Sequence, residues 1–159
     1  MNETDHKKCS IVVFSGDMDK VMAAFIIATT AAAMGRETSM FFTFWGLKAI
    51  QKGNPTGKGL FGKMLGLMNR GGIDRIGPSR LNFGGIGRWM FKKMMKDKGV
   101  TSLPELRQMA IDLGVKLLAC QMSMDVMEIT RDDLIDEVSD VVGAATYCNA
   151  ALQGQALFI

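Results

Sequence analysis

Lys116-Leu117-Leu118-Ala119-Cys120-Gln121-Met122-Ser123-Met124-Asp125 is the stretch from which the fold can be read. An apolar run of strand length stops at a cysteine, polar and small residues follow, and Val126-Met127 continue as if a helix has begun. A thiol at the carboxyl end of a strand and the amino end of a helix lies where open α/β sheets keep their ligands. It also lies where unpaired helix N–H groups favour an anion, and a thiolate is an anion. Cys120 is therefore the candidate reactive thiol, set against the ordinary fate of a free cysteine, which is inert burial. Activating such a thiol takes roughly 2 kcal/mol. A helix terminus supplies about 0.3–1 kcal/mol, so other donors must help. Ser123 is the nearest hydroxyl, and the Asp125 carboxylate opposes activation if it lies close.

Outward from this stretch, strand and helix signals alternate. Ser10-Ile11-Val12-Val13-Phe14 suits a strand covered on both faces. Ser15-Gly16-Asp17 turns the chain, with Asp17 or Asp19 as helix cap, and Asp19–Met34 reads as an alanine-rich helix stopped by Gly35. Thr38–Phe42 is a second strand ending in Thr43-Phe44-Trp45-Gly46, and Leu47–Lys52 a short helix. Strand, helix and strand with tight turns predict a right-handed βαβ unit. Ser102, Pro104 and Glu105 announce a capped helix to Leu113, stopped by Gly114 before the Cys120 strand. Thr130–Asp133 opens a short helix. Asp140–Val142 is a fourth strand, Gly143–Leu152 a closing helix and Ala156–Ile159 a fifth strand. The expectation is one domain over residues 1–159, a three-layer α/β/α sandwich on a mostly parallel five-stranded sheet.

Residues 53–100 interrupt that pattern as a long insert. Eleven glycines fall within Gly53–Gly87 and no strand signal appears; connections this long are uncommon unless functional. Leu60, Phe61, Met64, Leu65 and Met68 recur at helical spacing, as do Ile86, Trp89, Met90, Met94 and Met95. Lys52–Lys98 carries eleven Lys and Arg against Asp74 and Asp97, a net +9 in a chain whose total is +3, which leaves the remainder near −6. A basic amphipathic segment can lie on an anionic membrane, dock an acidic or apolar partner, or pack in a homo-oligomer. The last is the preferred reading. Nucleic acid is not expected, because aromatic residues are sparse and no recognised motif appears.

In a parallel sheet, Ser15-Gly16-Asp17 and Phe44-Trp45-Gly46 share an edge with Cys120. Together with Gln121, Met122, Ser123, Met124 and Asp125 they are the candidate pocket walls, turn chemistry and aromatic packing being the alternative. Neither Ser15-Gly16-Asp17 nor Gly84-Gly85-Ile86-Gly87 makes a nucleotide fingerprint; the first lacks the glycines and the second has no preceding strand. Three cysteines and a single histidine, without CxxC or Cys/His spacing, argue against a disulfide framework and a zinc site. Cys148, beside Tyr147 and Asn149, is assigned to core packing rather than to a resolving role, and Cys9 is incidental. Met1–Lys8 has no signal-peptide run, and Val21–Met34 is shorter than the roughly 20 residues of a spanning helix. A cytoplasmic protein is expected.

The Ser10–Asp19 stretch, Phe41-Phe42-Thr43-Phe44-Trp45-Gly46 and the Cys120–Asp125 block resemble the DsrE/DsrF-like family. The likeness is closest to its branch with a glycine- and methionine-rich insert, sometimes loosely labelled peroxiredoxin-like, although no Thr-x-x-Cys element is present. The resemblance implies a parallel five-stranded sheet, flavodoxin-like in general architecture, and homo-oligomerisation. It implies sulfane sulfur carried as a persulfide or thiosulfonate on the cysteine that matches Cys120, exchanged with rhodanese-like and TusA-like partners, without metal or organic cofactor. No second functional cysteine matches, so a mechanism through an internal disulfide is not implied.

Overall fold

The computed structural model describes residues 8–151 and 154–159. Its sheet is formed by β1 (Lys8–Val13), β2 (Glu37–Phe42), β3 (Lys116–Cys120), β4 (Asp140–Val142) and β5 (Gln155–Phe158), all parallel, in the order β4-β3-β2-β1-β5. The chain thus moves outward from β1 to β4 and crosses back to lay β5 on the other side of β1. The layered architecture is the expected one, although this order differs from the 2-1-3-4-5 of flavodoxin.

The helices are α1 (Met18–Ala33), α2 (Leu60–Met68), α3 (Ile86–Asp97), α4 (Leu103–Asp112), α5 (Gln121–Val126) and α6 (Ala144–Ala151). Alternation along the strands separates two apolar layers. Ile11, Val13, Met40, Phe42, Leu117 and Ala119 face α1 and α4 in the main core. Val12, Phe41, Leu118, Cys120 and Val142 face the opposite side, where Tyr147 and Ala151 of α6 cover them. That second layer is small, because α6 has eight residues and leaves Phe158 71% exposed.

Most predicted elements appear within a residue or two. Ser102 caps α4, its N–H and Oγ both donating to Glu105 Oε2, at 2.8 and 2.7 Å. The predicted closing helix extends to Leu152, which lies outside the described residues. Two local expectations fail. Asp17 stands at the N-cap of α1 but makes no cap bond, because its carboxylate accepts from Ser15 Oγ and Lys20 Nζ; Asp19 binds Ser79 instead. The segment after β2 winds as a 3-10 turn over Phe44–Ile50 rather than a helix over Leu47–Lys52. Phe44 takes a left-handed φ of +45°, and a Cβ at Gly46 would overlap the Val13 carbonyl, so the chain bends immediately at the strand end.

The insert is folded against the sheet domain. Ile73 and Ile76 enter the main core, and Leu65, Phe91 and Met95 pack partly against it. Met18 N–H donates to Gly77 O at 2.8 Å, and Gly72 N–H to Lys48 O at 3.1 Å. Its glycines permit close approach: a Cβ on Gly62 would collide with the Glu128 carboxylate, and one on Gly66 with the Thr56 backbone.

Candidate functional site

Cys120 is the last residue of β3 and the N-cap of α5. It stands opposite Val142 of β4, and its neighbours in the second layer are Phe41 and Tyr147. The residue is 7% exposed, so its thiol is covered within that layer rather than open to the surface. The Tyr147 ring lies on Phe41 with centroids 4.7 Å apart and planes 16° from parallel. Its hydroxyl is buried and has no partner among the described residues. Burial, reinforced by the nearby Cys148 and Cys9, pushes the phenol up to about 12.

The residues that follow Cys120 divide by helical geometry. Ser123 is buried, with its Oγ 2.7 Å from Thr43 Oγ1, and so ties α5 to the end of β2. Among the described residues its hydrogen-bond partner is Thr43, not the thiol. Gln121 Nε2 donates to Asp125 Oδ1 at 2.7 Å, and both side chains are exposed. Met122 points outward while Met124 is buried in the main core, beneath the other face of the sheet. The expectation that all five wall one pocket is corrected accordingly: a six-residue helix cannot turn five successive side chains toward one point.

The other predicted walls meet each other at the same carboxyl edge. Gly46 N–H donates to Phe14 O at 2.9 Å, and a Cβ on Gly16 would lie 2.6 Å from the Trp45 carbonyl oxygen. Phe44 packs on Phe14, which packs on Phe158, each pair with centroids 5.9 Å apart. These loops connect to the cysteine helix through the Thr43–Ser123 bond. Gly16 and Asp17 line a cavity with the insert rather than with Cys120. Ser15 is buried, accepting from the Asp17 N–H at 3.1 Å.

Cys148 is exposed, which corrects its assignment to the core. Successive helical residues differ by about 100°, so the turn that buries Tyr147 carries Cys148 to the flank. Cys9 is buried toward the amino ends of the strands; burial pushes its thiol up, with Arg36 opposing. Phe41, Val142 and Tyr147 join Cys120 in the second layer without being candidate site residues by sequence. Tyr147 had one usable signal, being the single large apolar side chain in Ala-Ala-Thr-Tyr-Cys-Asn-Ala-Ala. Among the described residues, no three His, Cys, Asp or Glu side chains gather as metal ligands, and no helix is long and apolar enough to cross a membrane.

The site is thus a parallel α/β sheet in which an interior strand ends in a cysteine and a helix begins there. The DsrE/DsrF/DrsH-like family model matches residues 5–158, and the chain belongs to that family. It is 46% identical over 156 residues to the uncharacterized protein YrkE of Bacillus subtilis, covering 96% of this chain and 97% of that one. It is 34% identical over 156 residues to the sulfur carrier protein DsrE2 of Allochromatium vinosum, covering 90% and 91%. The crystal structure of the Escherichia coli ychN protein superposes with a TM-score of 0.56 at 12% identity, over 96% of this chain and 99% of that one, a likeness of fold.

Proposed function

We propose that the protein is a sulfur carrier that holds sulfane sulfur on Cys120. The observation that carries this reading is the position of Cys120 as both strand end and N-cap, in a chain 34% identical to a protein named as a sulfur carrier. The Cys120 thiolate attacks the outer sulfur of a donor persulfide R–S–SH. A Cys120 S–S bond forms, the donor's S–S bond breaks, and R–S⁻ leaves with the electron pair while the proton stays on the transferred sulfur. An acceptor thiolate then attacks that outer sulfur and releases the Cys120 thiolate, so no outside oxidant or reductant is needed. Backbone N–H groups at the start of α5, unpaired within the helix, favour the anionic sulfur in both steps. The donor and acceptor are proteins bearing reactive thiols, rhodanese-like or TusA-like in kind.

The test is uptake from polysulfide, read by intact mass and peptide mapping. The expected result is a gain of about 32 Da, one sulfur atom, on the Cys120 peptide and its loss in Cys120→Ser. The more exposed Cys148 provides the contrast. Stoichiometric uptake by Cys120→Ser, or equal labelling at Cys148, removes the assignment. A second reading, an oligomeric scaffold acting through the insert with an inert Cys120, is favoured by the apolar helix faces the insert exposes, among them Phe61 and Trp89.

A further inference from the structure

A cavity of about 670 Å³ opens at the carboxyl end of β1, between the loop after that strand, the 3-10 turn after β2 and the insert. Five cationic side chains line it: Lys48, Arg70, Arg75, Arg88 and Lys92. The two carboxylates in the same wall are already engaged, Asp17 with Ser15 and Lys20, and Asp74 with Lys92. Among the described residues, Lys48, Arg70, Arg75 and Arg88 have no carboxylate within ion-pair distance.

Two of these cations are held by neutral groups that leave their charge uncompensated. Arg70 Nε donates to Gly53 O at 3.0 Å, and Arg88 Nη1 to Arg75 O at 2.8 Å. A guanidinium has five N–H donors, so one such bond fixes its direction and leaves the others available. Lys48 is half-buried, and its desolvation lowers its pKa, with Asp17 opposing. Converging like charges repel, and a bound anion relieves that repulsion. The location is also the one that open α/β sheets give to ligands.

We infer that this cavity is a binding site for a small polyanion bearing tetrahedral oxyanion groups, phosphoryl or sulfonyl, separate from Cys120 and independent of the sulfur-carrier reading. Forked guanidinium groups match two oxygens of such a group at once. Met68 and Pro78 are the few apolar lining residues, so a lipid tail or an apolar peptide does not suit it.

The test is calorimetric titration of the full chain with pyrophosphate and, separately, thiosulfate, at ionic strength held constant with sodium chloride. Saturable binding of one or both is expected, and the tighter anion identifies the source. Arg75→Gln removes a side chain with no hydrogen bond or ion pair among the described residues, so its fold is undisturbed; it and Lys48→Gln should each weaken binding about tenfold or more. Lys93→Gln, equal in charge but outside the cavity, should leave binding unchanged. No saturable binding of either anion, or an equal loss in Lys93→Gln, overturns the proposal.

Discussion

The Tyr147 hydroxyl is buried without a partner among the described residues, while its ring lies flat on Phe41 in the layer that also holds Cys120. A buried, unsatisfied polar group costs about 1–3 kcal/mol. Tyr147→Phe keeps the stacked ring and removes that cost, so urea unfolding should show a gain of about 1 kcal/mol. Tyr147→Ala removes the ring as well and should lose about 3–5 kcal/mol while making Cys120 more reactive to thiol reagents. The pH dependence gives a second readout. A phenol raised from 10.0 to about 12 contributes stability that is fully present below pH 10 and is lost as pH rises toward 12. Tyr147→Phe should abolish that part of the alkaline loss. A destabilised Tyr147→Phe would mean that the hydroxyl does have a partner.

At the scale of elements, α5 is joined to the insert by one carboxylate. Glu128, with a left-handed φ of +51°, follows α5 and accepts the N–H groups of Lys58 and Gly59 at the start of α2, the second at 2.9 Å. Those bonds hold its carboxyl below the usual 4.5. The contact is therefore complete above pH 4.5 and is lost as pH falls through the depressed value. Amide exchange in α2 should accelerate in acid before the sheet loosens, and Glu128→Gln should show fast exchange already at neutral pH. Equal exchange in wild type and Glu128→Gln would count against this latch. The sequence exposed the elements on either side of it but not the latch. The β3–α5 junction and the periodicity of α2 and α3 are local signals, and Ser102 with Glu105 announced α4 within four residues. Glu128 lies about seventy positions from its partners, and neither stretch contains anything that names the other. The exposure of Cys148 is hidden from the sequence for a related reason: an alanine-rich helix shows that it packs, but not which flank it packs on.

At the scale of the whole molecule, charge and apolar surface are separated in the same way. The stretch Lys52–Lys98 carries a net +9 while the rest of the chain is near −6, and Asp132, Asp136 and Glu137, between α5 and β4, stand exposed with Asp140 at the start of β4. On α2, α3 and the turn before α3, Leu60 (82% exposed), Leu67, Phe83 and Trp89 face outward. Apolar patches of this kind on a small protein mark an interaction surface. The acidic stretch beyond α5 offers a second copy a complement to the insert's lysines and arginines. Homo-oligomerisation through the insert is the proposed arrangement, and sedimentation should give a mass that is a multiple of 17.4 kDa. Trp89→Glu should reduce it to the single chain without unfolding, because the side chain is 67% exposed and outside the core. Added salt should weaken the assembly only in part, since screening acts on the charges and not on the apolar contact. A wild-type protein that sediments at 17.4 kDa would defeat this arrangement. Vesicles containing anionic lipid then decide the insert's remaining use: co-sedimentation lost in Trp89→Glu assigns the same face to a membrane surface, where lysines meet headgroups and Trp89 enters the interface.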